Sequence, residues 1–176
     1  MLLKLKRTPG IYLVGFMGSG KSTLGRLLAQ HIGWNFCDLD AEIEKRQNAS
    51  IEQLFETLGE PEFRRIESEA IRGCVRRVER GQPAVLALGG GAFVQPDNYA
   101  LLEPNGVSVW LDCPFEIIAS RVRLNGSRPL ARDLDSLRKL FDERRKSYEL
   151  ADYRLQICAG KPEDNLAALI ELPLFK

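Results

Sequence analysis

The chain has 176 residues, 44% of them hydrophobic and 28% charged, a globular balance that excludes a disordered protein. This length predicts one compact domain over 1–176. With 25 Lys and Arg against 24 Asp and Glu, the net charge of +1 argues against a nucleic-acid surface and against an acidic tail. No apolar run approaches the ~18–20 residues of a membrane span, and Met1 to Pro9 lacks the apolar centre of a secretory signal. The cysteines (Cys37, Cys74, Cys113, Cys158) form no C-x-x-C pair, three of them sit in strand-like apolar runs, and His31 is the lone histidine. Buried, reduced thiols in a cytoplasmic protein are therefore expected, not a metal cluster.

In chain order, apolar runs alternate with amphipathic stretches. Ile11 to Val14 reads as a strand running into a glycine loop. Ser22 to Ile32 follows as a helix, with Leu24, Leu27, Leu28 and Ile32 on one face. Trp34 to Cys37 is a second strand, ending at Asp38. Ser50-Ile-Glu-Gln53 carries a capping-box pattern, so a helix should open there and stop near Gly59. Glu62 to Arg80 is a long helix with Phe63, Ile66, Ala70, Cys74 and Val78 in a stripe. Ala84 to Leu88 and Val107 to Leu111 are continuous apolar runs, as suits parallel strands covered on both faces. Pro114 to Arg123 and Leu134 to Leu150 read as helices, Tyr153 to Cys158 as a fifth strand, and Pro162 opens a last helix. Alternation of this kind predicts a three-layer α/β fold, with ligands at the carboxyl ends of a mainly parallel five-stranded sheet.

The residues that follow the strands carry the chemistry. Gly15-Phe-Met-Gly18-Ser19-Gly20-Lys21-Ser22 fits G-x-x-x-x-G-K-[ST] at every fixed position. Glycines there turn backbone N–H groups towards phosphate oxygens, a helix N-terminus lies behind them, Lys21 reaches the outer phosphates and the Ser22 hydroxyl completes a Mg²⁺ shell. Asp38 and Asp40 alternate after the second strand, either both facing the site or one of them capping the next helix. Gly89-Gly90-Gly91 after the third strand leaves backbone open to close ligand approach. That strand lacks the Asp that ends the Walker-B strand of many P-loop enzymes, which leaves Asp38 as the metal-side carboxylate. Arg64-Arg65, Arg128-Pro129-Leu130 and Arg144-Arg145 stand out among the basic residues, although a solvated surface arginine is the ordinary reading of each.

Taken together and in order, the P-loop, D-L-D, F-R-R-I-E, G-G-G, R-P-L and R-x-x-x-Y resemble shikimate kinase, from Ile11 to about Leu169. The resemblance implies a nucleoside monophosphate kinase-like fold. It also implies phosphorylation of the 3-hydroxyl of shikimate by ATP with Mg²⁺, in aromatic amino acid biosynthesis. It further implies that Gly15 to Thr23, including Gly18, Ser19, Gly20, Lys21, Ser22 and Thr23, holds the nucleotide phosphates, with Ser22 and Asp38 on the metal. Asp40 would engage the acceptor hydroxyl. Arg64, oriented by Glu67, and Arg144 would clamp the carboxylate, with Gly89, Gly90 and Gly91 on the ring hydroxyls and Phe55 and Phe63 as an apolar wall. Arg128 would be a catalytic arginine on a lid at about 124–133, the substrate region would span about 38–80, and Arg121 and Pro162 would lie by the adenine. For the late clamp Arg144 and Arg145 both stand as candidates; the four-residue spacing to Tyr148 favours Arg144. A kinase of another small hydroxy-acid such as gluconate, or a kinase-like ligand sensor, would share the P-loop, but F-R-R-I-E, the triple glycine and the late arginine favour shikimate. No apolar heptad suggests association, so a monomer is expected, with no nucleic-acid or membrane partner.

Overall fold

A computed structural model describes residues 10–125 and 134–176, the side chains of 123–125 excepted. Five parallel strands form one sheet in the order β2-β3-β1-β4-β5. They are β1 (Gly10–Val14), β2 (Asn35–Asp38), β3 (Ala84–Ala87), β4 (Val107–Asp112) and β5 (Tyr153–Gln156). The continuous apolar runs are the inner strands: β1 and β3 are buried at every residue, as parallel strands covered on both faces require. The edge strands β2 and β5 are half-exposed.

Helix α1 (Lys21–Ile32) starts at Gly20, whose φ of 98° only glycine adopts without strain, and ends at Gly33, a left-handed cap whose N–H donates to the Ala29 carbonyl. Asp38 is the N-cap of α2 (Leu39–Gln47), its Oδ1 accepting from the Ala41 N–H at 3.3 Å. The capping box at Ser50 is formed: Gln53 N–H donates to Ser50 Oγ at 3.1 Å and Ser50 N–H to Gln53 Oε1 at 2.9 Å.

The two helices expected around Gly59 run on as one bent element, α3 (Ile51–Glu79). Gly59, at φ 76° and ψ 168°, breaks the helical path just before Pro61, so the bend falls where the sequence placed a stop. Beyond it the stripe Phe63, Ile66, Ala70, Cys74 and Val78 is buried in the core. Two features were not read from sequence. Pro96–Leu102 is a short helix, α4, continued by a 3₁₀ turn at Glu103–Asn105; its seven residues are too few to show a periodic face. Cys158 is exposed beyond β5, because that strand stops at Gln156, and Cys37 on the edge strand β2 is half-buried, so the expectation of buried cysteines holds in full for Cys74 and Cys113 alone. The remaining helices are α5 (Phe115–Asn125), α6 (Leu134–Tyr148) and α7 (Pro162–Ile170). His31 is an exposed residue in the last turn of α1. No described helix is long and apolar enough to cross a membrane.

Candidate active site

Two cavities meet at the carboxyl end of the sheet. The first, of about 530 Å³, is floored by the glycine loop after β1 and walled by Lys21, Ser22, Thr23, Asp38, Arg121 and Pro162. The loop is built by its glycines: Gly15 (φ 139°) and Gly18 (φ 75°) take left-handed backbone, and a side chain on Gly15 would stand 2.8 Å from the Leu111 carbonyl oxygen. Lys21 folds back over the loop, its Nζ donating to the Gly15 and Phe16 carbonyls at 2.8 Å each. Arg121 donates to the Gly18 carbonyl at 2.8 Å, which ties α5 to the loop. Ser19 Oγ is buried with no hydrogen-bond partner among the described residues, on the wall of a cavity rimmed by donors.

The second cavity, of about 470 Å³, is lined by Phe55, Phe63, Arg64, Glu67, Arg144 and the triple glycine. It shares Met17, Asp40 and Gly90 with the first, so Asp40 stands at the junction. Phe55 and Phe63 stack with centroids 4.2 Å apart and the Arg64 guanidinium lies over both, at 5.6 and 5.4 Å. Arg64 Nη1 donates to Glu67 Oε2 at 2.8 Å, while Nη2 and Nε reach Glu60 Oε1 at 3.1 and 3.3 Å. Burial works against the Arg64 charge, but Glu67 and Glu60 outweigh it and hold the guanidinium above its ordinary range. Glu67 is 1% exposed; burial raises its carboxyl above the ordinary value, against the lowering by Arg64.

Each of the three glycines meets a charged side chain. A Cβ on Gly89 would lie 2.8 Å from Asp40 Oδ1 and 3.0 Å from Glu67 Oε1, and one on Gly91 2.5 Å from Arg64 Nη2. A Cβ on Gly90 would lie 3.3 Å from Arg144 Nη1. The triplet therefore admits the charged groups against the backbone itself, beyond the ligand approach expected of it. The two late arginines part company. Arg144 lines the second cavity, over Phe16 at 5.7 Å. Arg145 turns to the other side, bonds Asp112 at 3.0 and 3.4 Å and lies 5.1 Å over Trp110. Asp112 also accepts from Arg154 Nε at 2.9 Å.

The structure thus brings together Lys21, Ser22, Asp38, Asp40, Arg121 and Pro162 at one cavity and Asp40, Phe55, Phe63, Arg64, Arg144 and Gly89 to Gly91 at the other. Of the alternatives for Asp38, it does both things: it caps α2 and lines the cavity. Arg128 and the expected lid beyond residue 125 lie outside the described residues. Among the groups that sequence reasoning missed, Glu60 sits one turn before Arg64, a spacing that signals an ion pair, and Met17 lines both cavities with no local signal. Tyr148, the last residue of R-x-x-x-Y, donates its hydroxyl to the Gly90 carbonyl, a contact the motif did not reveal.

A glycine phosphate loop on a parallel 2-3-1-4-5 sheet, opening onto a pocket with two arginines, defines a P-loop kinase of a small anionic acceptor. Residues 17–171 match the sequence model of shikimate kinase. A shikimate kinase of Persephonella marina is 40% identical over 153 residues, covering 86% of this chain and 91% of its own length. One of Aquifex aeolicus is 38% identical over 165 residues, covering 93% and 95%. Among solved structures, the shikimate kinase of Acinetobacter baumannii in complex with shikimate superposes with a TM-score of 0.87 at 36% identity, over 96% of this chain and 94% of that one. A sugar kinase of Janibacter, at 18% identity and a TM-score of 0.62, shares the fold alone. This chain belongs to the shikimate kinase family.

Proposed function

We propose that this protein transfers the terminal phosphoryl group of ATP to the 3-hydroxyl of shikimate, with the P-loop cavity taking ATP and the arginine cavity taking shikimate. The observation that carries this reading is Asp40, whose side chain borders both cavities. A carboxylate there is placed to accept the proton of the acceptor hydroxyl as its oxygen approaches the phosphorus. Arg64 and Arg144 supply forked donors for the shikimate carboxylate, and the Phe55–Phe63 pair covers the apolar face of the ring. Glu67 fixes the Arg64 fork from below. Lys21 exchanges its loop carbonyls for phosphate oxygens, and Ser19 Oγ gains an acceptor from the same group. Arg121 and Pro162 flank the nucleoside end.

The residues present fit Mg²⁺. The described residues hold no cluster of three or more acidic, His or Cys side chains, yet Ser22 and Asp38 border the phosphate cavity. This is the sparse protein shell of an ion that takes most of its ligands from water and phosphate. Ser22 and Asp38 would hold the ion, which when bound neutralises charge on the phosphates. Arg128 would add positive charge from the lid.

The described residues share one buried core, and Leu58 and Leu150 are their exposed large hydrophobics, which supports a single-domain monomer. Free thiols at all four cysteines support a reducing, cytoplasmic setting. A coupled assay of ADP release with shikimate, quinate and gluconate tests the activity. Shikimate should turn over well above the other two; no shikimate-dependent ADP release overturns the reading.

A further inference from the structure

Cys37, on edge strand β2, and Cys74, on the buried stripe of α3, lie 37 residues apart in sequence and 3.4 Å apart at sulfur. Both are free thiols. Arg77, one turn beyond Cys74, brings its Nη2 to 3.1 Å from Cys74 Sγ and 3.8 Å from Cys37 Sγ, with Nη1 tethered to Glu42 at 3.3 Å. A half-open cavity of about 730 Å³ on this side of the sheet is lined by both sulfurs' residues and Arg77. Cysteines that serve only as small hydrophobes have no use for a guanidinium at sulfur, where it stabilises a thiolate. Consistently, the hydrogen bond from Cys37, helped by Arg77, outweighs burial and holds the Cys74 thiol below its ordinary value.

We propose that Cys37 and Cys74 form a reversible thiol–disulfide site that reacts with small hydroperoxides and pins the end of β2 to α3. The Cys74 thiolate attacks one peroxide oxygen, the O–O bond breaks, and a sulfenic acid and hydroxide result. Cys37 sulfur then attacks the sulfenic sulfur, the S–O bond breaks and the Cys37 proton leaves with it as water. In sum, two thiols and one hydrogen peroxide give one disulfide and two waters, with two electrons passing from sulfur to the peroxide. The sulfurs must close by ~1.4 Å to reach the ~2.05 Å bond. Neither cysteine borders the two cavities of the active site, but Cys37 directly precedes Asp38, the cap of α2 and a wall of the phosphate cavity. Closure of the disulfide therefore moves Asp38 and lowers turnover, a consequence that rests on the role proposed for that cavity.

The test is peptide mapping of the wild-type protein after hydrogen peroxide treatment and alkylation by iodoacetamide under denaturing conditions. A Cys37–Cys74 cross-linked peptide that dithiothreitol removes, with Cys113 and Cys158 alkylated as thiols, is the expected result. Recovery of Cys37 and Cys74 as alkylated thiols, or cross-links through Cys113 or Cys158 instead, overturns the proposal. Arg77→Gln should slow disulfide formation about tenfold with turnover of the reduced enzyme unchanged; an unchanged oxidation rate overturns the role of Arg77. Shikimate-dependent ADP release should fall on oxidation, recover with dithiothreitol, and stay insensitive to peroxide in Cys74→Ser. A disulfide without loss of turnover overturns the coupling to Asp38, whereas a reduced enzyme without activity overturns the function instead, since the peptide map is read independently of it.

Discussion

At the scale of single residues, the two cavities assign separable roles. On the role proposed for it, Lys21→Met removes the cation that reaches the transferring phosphate and should lower kcat about 10²–10³-fold, read in the coupled assay. Asp40→Asn keeps the shape at the junction and removes the proposed proton acceptor. It should lower kcat about 10²–10⁴-fold while ATP still binds by calorimetry; near-normal turnover would reassign the base. Glu60 bonds the Nε–Nη2 edge of Arg64, the edge a substrate carboxylate would use for a two-pronged contact. Glu60→Gln should therefore lower the KM for shikimate several-fold with little change in kcat, because the fork no longer has to give up a charged partner. The opposite outcome, a raised KM, would make Glu60 part of the binding surface.

At the scale of elements, placement depends on how each helix is tied. The buried Asp112 at the end of β4 holds Arg145 of α6 and Arg154 of β5, and this fixes the rotation of α6 that aims Arg144 at the cavity. Asp112→Ala should cost ~1.5–3 kcal/mol in denaturant unfolding, since charge-assisted bonds are lost. It should also raise the KM for shikimate by loosening Arg144. A loss of stability with unchanged KM would confine Asp112 to folding. The hydroxyl of Tyr148, donated to the Gly90 carbonyl, joins the same helix to the triple glycine. Much of this scale was legible: the P-loop, the capping box at Ser50 and the stripe on α3 are local patterns, fixed by spacing within one element. The choice between Arg144 and Arg145 was legible only as the preference for Arg144 that the spacing to Tyr148 gave, because adjacent residues on a helix point about 100° apart and the partner surface decides which one reaches the site.

At the scale of the whole molecule, stability should show an alkaline limit set by two buried tyrosines. Tyr12 donates to the Asn105 carbonyl at 2.7 Å and Tyr148 to that of Gly90, and burial pushes both phenols well above their ordinary value of 10.0. A group with a raised folded-state value contributes stability that is fully present below its unfolded value and lost as the pH rises beyond it. The tyrosine contribution should thus hold steady up to pH ~10 and then fall by up to ~1.4 kcal/mol per pH unit for each tyrosine. Urea titrations between pH 9 and 11 measure it, and Tyr12→Phe should flatten the fall by about half.

The near-neutral charge of +1 argued against a nucleic-acid surface. The resemblance to shikimate kinase named most of the charged residues and glycines at the two cavities, and the sequence by itself determined the alternating α/β order and the phosphate loop. These are encoded locally, by glycine where backbone must turn left-handed, by apolar runs where strands are covered and by caps where helices begin. Only the tertiary structure decided that Asp40 belongs to both cavities, that the triple glycine makes room for charged side chains and that Cys37 meets Cys74. Most of these meetings join residues from different elements, and pairings of that kind are set by how the helices pack on the twisted sheet, not by any spacing along the chain.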